Sequence, residues 1–115
     1  VVDAYIQDEL CGFTFTVNGF STLFTLIDRL NQKENLRAMP HSLPVHFIAG
    51  DMDPVGNYGE GVKKAYEDFA GVGMERITIK LYPGGRHELL NEKNKYQVYD
   101  DIYPWIMERV KEYQL

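Results

Sequence analysis

Leu43–Gly56 reads LPVHFIAGDMDPVG, and this stretch decides the fold. An apolar run (Val45, Phe47, Ile48, Ala49) stops at Gly50, and two aspartates and a proline follow at once. Continuous hydrophobics, a glycine turn and then polar groups mark a parallel strand leaving a sheet at its carboxyl end. In open α/β sheets that edge is where ligands and catalytic groups collect. The pattern recurs downstream, where Ile77–Tyr82 (ITIKLY) runs into Pro83-Gly84-Gly85 and then Arg86-His87-Glu88. One strand leads to an aspartate and the other to a histidine.

Between the two lies the clearest helix of the chain. Val62, Ala65, Tyr66 and Phe69 recur at i, i+3, i+4 and i+7, and Gly71-Val72-Gly73 closes the run. Asn57, with Glu60 three residues on, is the expected N-cap in a near-capping box. Strands at 44–49 and 76–82 with a helix at 58–70 therefore make one βαβ unit with parallel strands. Upstream, Phe20, Leu23, Phe24, Ile27 and Leu30 form a helical stripe over 20–30, for which Asn18 or Ser21 is the candidate cap. Asp8–Gly12 has turn composition, Phe13–Val17 alternates like a short strand or extended segment, and residues 31–39 hold room for one helical turn before Pro40. Downstream, a helix over 95–112 carries Tyr99, Ile102, Tyr103, Ile106 and Val110, with Pro104 expected to kink it.

The totals exclude several function classes. The 115 residues allow at most one small domain, and 44% hydrophobic with 25% charged content is that of a globular chain. No apolar run approaches the ~18–20 residues of a membrane span, so no stable membrane insertion is expected. A formal charge of −5 speaks against nucleic acid as a partner, because phosphate binding needs clustered Lys and Arg. The start, VVDAYIQDEL, lacks a signal-peptide pattern and an initiator Met, which suggests a truncated or processed chain. Cys11 stands alone, so no disulfide framework is expected and the expected setting is cytoplasmic. His41, His46 and His87 show no ligand spacing, and neither a metal nor a cofactor is expected.

Two parallel neighbours bring their carboxyl ends to within ~5 Å of each other, and so bring Asp53 near His87. A carboxylate bonded to imidazole Nδ1–H fixes the tautomer and stabilises the imidazolium formed when Nε2 takes a proton. Such a pair is two-thirds of a nucleophilic hydrolase. Pro54 favours it by holding Asp53 extended, and Gly84 and Gly85 free the histidine loop to fold back. The plainer alternative is a turn-forming aspartate beside a structural histidine. Asp51 rivals Asp53 for the carboxylate, its alternative being a cap on loop N–H groups. His46 is expected as a packed or edge strand residue, His41 as a loop residue, Cys11 as a small packed residue, and Glu88 and Glu92 as solvated or capping groups.

GDMDPVGNYGEGV followed by LYPGGRHELLNE resembles the C-terminal portion of an α/β-hydrolase fold, in its monoacylglycerol lipase, lysophospholipase and serine-aminopeptidase-like branch. That branch carries its triad aspartate in G-x-x-D, here Gly50–Asp53, and its triad histidine in G-x-x-H, here Gly84–His87. Asp53 and His87 also stand in the order the fold requires. DELCGFTFTVNGF resembles the end of a cap insertion, so residues 1–40 correspond to cap end and connecting helix, and 41–115 to the C-terminal part of an incomplete core.

The G-x-S-x-G nucleophile elbow of that family is missing. Gly19-Phe20-Ser21-Thr22-Leu23 lacks the second glycine, and Ser42 lies in a proline-flanked linker. The resemblance therefore implies a fragment of a serine ester hydrolase acting on acyl esters such as lysophospholipids or monoacylglycerols, inactive alone. The alternative from another class is a non-catalytic module that self-associates into a dimer or larger homo-oligomer through its exposed sheet edge or by helix exchange. A third reading, a complete small protein with an unrelated binding function, stays open.

Overall fold

The computed structural model of the chain describes residues 2–30 and 32–113. The chain folds as two compact units that meet in sequence between Met39 and Pro40.

The first unit is helical. α1 (Val2–Gln7) runs into a turn in which the Asp8 side chain accepts the Leu10 N–H at 2.9 Å. α2 spans Val17–Leu30 and α3 spans Lys33–Arg37. The residues before α2 form no strand. Instead Phe13, Phe15, Phe20 and Phe24 run as a ladder of ring contacts with centroids 5.2, 5.4 and 6.1 Å apart. The first two are edge-to-face and the third, Phe20 on Phe24, is stacked, and together they give the aromatic segment partners without a ladder of backbone bonds. The α2 cap is Thr16, whose Oγ1 accepts the Gly19 N–H at 3.1 Å, rather than Asn18 or Ser21. Both of those residues lie inside the helix, which begins three residues earlier than the apolar stripe suggests.

The second unit holds the βαβ motif. β1 (Val45–Gly50) and β2 (Ile77–Tyr82) pair in parallel, from Val45 opposite Ile77 to Gly50 opposite Tyr82. α4 (Glu60–Gly71) joins them, and α5 (Lys95–Tyr113) follows a 3₁₀ turn at Leu89–Asn91. The pleat sends alternate side chains to opposite faces. Phe47 meets Tyr66 and Phe69 of α4, while Ile48 joins Tyr82, Leu89, Val98 and Ile102 on the α5 side. The α5 face also carries polar ties. Lys80 Nζ lies 2.5 Å from Asp101 Oδ2, which also accepts the Tyr82 hydroxyl at 3.0 Å. Burial and that carboxylate push the Tyr82 phenol up to about 12. α5 stays helical from Lys95 to Tyr113, with Pro104 inside it.

Two sequence expectations change here. β1 is mostly half-buried, with Ala49 and Gly50 its buried residues, because among the described residues it has a strand on one edge only. Asn57 does not cap α4. Asn57 and Tyr58 take left-handed backbone (φ 50° and 55°) and Gly59, at φ 89°, precedes the first helical residue. Asparagine tolerates that region well, and here the turn uses this property rather than its capping oxygen.

Two outcomes follow from this packing. His46 stacks on Trp105 with centroids 5.6 Å apart and shares a 2.7 Å hydrogen bond with the Thr78 hydroxyl. Burial holds its imidazole below the usual 6.5, a hydrogen bond with the Thr78 backbone and the Asp101 charge opposing this and Lys80 adding to it. The unfolded chain then binds protons that the folded chain resists, so stability is full above about pH 6.5 and falls as pH drops through the folded value. Thermal melts from pH 7.5 to 5 should show a steeper fall for the native chain than for His46→Gln. Separately, a Cβ at Gly50 would stand 2.0 Å from the Gly85 carbonyl oxygen. Gly50→Ala should therefore cost about 3 kcal/mol or more in urea unfolding, as forced overpacking does.

Candidate active site

The two loops that leave the sheet are joined before any side chain is considered. Past Gly50 and Tyr82 the ladder continues, with Asp51 N–H donating to the Tyr82 carbonyl at 3.2 Å and Met52 N–H to the Gly85 carbonyl at 2.9 Å. Asp51 adds a side-chain tie, its Oδ1 accepting the Gly84 N–H at 2.7 Å. Asp51 thus caps the histidine loop, and Gly84 makes the turn at φ 72°.

Asp53 leaves the first loop one residue after Met52. Its Oδ1 accepts the Val55 N–H at 2.9 Å, an Asx turn across Pro54 that fixes the carboxylate plane. Its carbonyl accepts the Tyr58 N–H at 2.8 Å, which draws the left-handed Asn57-Tyr58 segment back over it. The remaining oxygen, Oδ2, lies 3.0 Å from His87 Nδ1. The Asp53 side chain is 10% exposed and that of His87 is 65% exposed. The bond from His87 holds the Asp53 carboxyl below the usual range, with Val55 N–H assisting and burial opposing. The carboxylate is thus desolvated but hydrogen-bonded, while the imidazole reaches toward solvent from the lip of an open cavity of about 560 Å³. Ile48, Val62 and Leu89 contribute its apolar wall.

The other candidates fall elsewhere. His46 is packed against Trp105, and the His41 ring lies close under Gly73. Ser42 precedes β1 at its amino end, whereas His87 follows the carboxyl end of β2. A six-residue strand is ~20 Å long, so this serine is out of reach. Cys11 is half-buried in the first unit. Among the described residues no group of three or more His, Cys, Asp or Glu could hold a metal ion.

Of the solvated and capping roles expected for Glu92, the structure shows the capping one. Its side chain is 10% exposed, and its Oε1 accepts both the Arg86 N–H (3.3 Å) and Arg86 Nε (2.9 Å). The one trace of this in the sequence is the opposite charge of Arg86 and Glu92 across six positions. Glu88 meets Asn91 Nδ2 at 2.8 Å instead.

Residues 1–94 match the family model described as "Serine aminopeptidase, S33". A highly thermostable carboxyl esterase from Bacillus coagulans, solved in complex with glycerol, superposes with a TM-score of 0.77 at 31% identity. That match covers 93% of this chain and 35% of the esterase chain, so the chain spans about a third of the esterase's length. Sequence, parallel strands and helices on both faces agree: the chain belongs to the serine aminopeptidase family of α/β-hydrolases.

Proposed function

We propose that this chain carries the base and its orienting carboxylate for a serine ester hydrolase, with the 3.0 Å contact between Asp53 and His87 as the observation that carries the reading. His87 is the general base and acid, and Asp53 holds its tautomer and stabilises the imidazolium. The bond leaves Nε2 as the nitrogen that takes the proton of an attacking serine and returns it to the leaving alcohol. Substrates are acyl esters of the lysophospholipid or monoacylglycerol kind, and the carboxyl esterase among the structural matches supports an ester. The open cavity beside His87 offers apolar surface to an acyl chain. Single Cys11 suits a reducing compartment, and the proposed setting is the cytoplasm. Among the described residues no helix is long and apolar enough to cross a membrane.

Triad members act as a unit, so the chain alone should be inactive. It should neither turn over a short-chain p-nitrophenyl ester nor label with a serine-directed fluorophosphonate, and labelling of this polypeptide would refute the reading. In a longer form that supplies the serine, His87→Ala should lower kcat by roughly 10⁶ and Asp53→Asn by about 10⁴, with KM little changed.

A second reading, a self-associating module, is favoured by the apolar surface of the first unit. No residue of α2 is buried, and Phe20, Leu23, Phe24 and Leu30 are all exposed. Both strands of the second unit also end at sheet edges among the described residues. Unpaired edges and apolar faces of this kind drive pairing between copies. Sedimentation at micromolar concentration should show a dimer or larger species, and a well-folded monomer would dismiss this reading.

A further inference from the structure

We propose that Glu92 is the positioning residue of His87, acting through Arg86, an inference that rests on the pairing of His87 with Asp53. The need for such a residue follows from exposure. With 65% of its side chain in solvent, His87 is not held by packing, and among the described contacts one hydrogen bond sets its ring. Its orientation therefore depends on the backbone of residues 83–88. That segment contains Gly84 at φ 72° and Gly85, so its own residues restrict it little. Asp51 ties its start at the Gly84 N–H. Glu92 ties its far side, taking the Arg86 N–H one residue before His87 and gripping the guanidinium through both carboxylate oxygens, at 2.9 and 3.5 Å.

Glu92 can serve as an anchor because it is fixed from the other direction. It directly follows the 3₁₀ turn whose Leu89 is buried against Tyr82 and Val98. Its own carboxyl is 10% exposed, and the Arg86 bonds hold it ionised below the usual range against the cost of burial. The core thus reaches His87 through four steps: Leu89, Glu92, the Arg86 peptide and the imidazole. Losing the Glu92 acceptor frees the Arg86 N–H and lets the loop turn His87 off the Asp53 oxygen.

The test reads the imidazole and needs no activity. Long-range ¹H–¹⁵N spectra of the intact 115-residue chain resolve its three histidines and their tautomers. In the native chain His87 should be the Nδ1–H tautomer, with a protected downfield Nδ1–H signal donated to Asp53. Glu92→Ala should lose that signal and return His87 to the Nε2–H form that free neutral histidine prefers, while His41 and His46 keep their spectra. Glu92→Gln, whose amide oxygen still accepts the Arg86 N–H, should restore the signal. An unchanged His87 in Glu92→Ala overturns the proposal, and so does a change shared by all three histidines, which marks a general structural role. Failure of Glu92→Gln to restore the signal when Glu92→Ala has lost it also counts against it. Asp53→Asn separates the two readings: if it leaves the native His87 tautomer untouched, the pairing with Asp53 itself is wrong, whatever Glu92 does.

Discussion

The close approach of Gly50 to Gly85, which lie directly against each other, is the constraint on which the site depends. A Cβ at Gly50 would fall 2.0 Å from the Gly85 oxygen and 2.7 Å from the Arg86 nitrogen. Parallel strands normally diverge once their ladder ends. Here the ladder persists into the loops because nothing larger than hydrogen separates them, and the Asp51 and Met52 N–H groups take up the Tyr82 and Gly85 carbonyls. Asp53 stands three residues past one glycine and His87 two past the other, so their side chains start from a shared platform. Glycine at position 50 serves steric clearance rather than unusual backbone, since its φ is not among the left-handed values.

On that platform the two members of the pair occupy opposite environments. Asp53 is desolvated and compensated by N–H groups, which keeps it a charged acceptor of fixed direction. His87 is left in solvent, where it can meet another group but has little to hold it. On the proposed reading, a buried carboxylate orients the proton transfer and an exposed imidazole carries it out. The cost of this division is carried by the loop after β2, which is why two further carboxylates, Asp51 and Glu92, are spent on its backbone.

The parts of the fold legible in sequence are those where one physical cause dominates. An apolar run ended by Gly50 has few meanings other than a strand leaving a sheet, and β1 and β2 fall within a residue of their expected bounds. The unread parts are those where one residue type serves two purposes. Thr16, Asn18 and Ser21 can all cap a helix, and Thr16 does so because the helix continues toward the amino end beyond its apolar stripe. Asn57 can cap or turn left-handed, and the backbone bonds that wrap Asp53 select the turn. Glu92 can be a solvated charge or a cap, and only the folded loop, which brings both the Arg86 N–H and its guanidinium to it, selects the cap.

A tension remains between composition and burial, and it bears on how the site is completed. Val45, Phe47 and Ile48 have the continuous apolar character of a strand covered on both faces and both edges, yet each is half-buried. On the α4 side Phe47 finds two aromatic rings, and on the α5 side Ile48 meets the small core around Tyr82. Both faces are therefore served, and the shortfall lies at the outer edge of β1 and in the cavity wall beside Asp53. The same apolar wall borders the imidazole that the proposed chemistry requires. On the proposed reading, a group filling the cavity beside Asp53 and His87 would exclude water from their bond, strengthening it in a lower dielectric. The part of β1 that the fold leaves half-buried thus adjoins the cavity wall that, on the proposed reading, faces the general base.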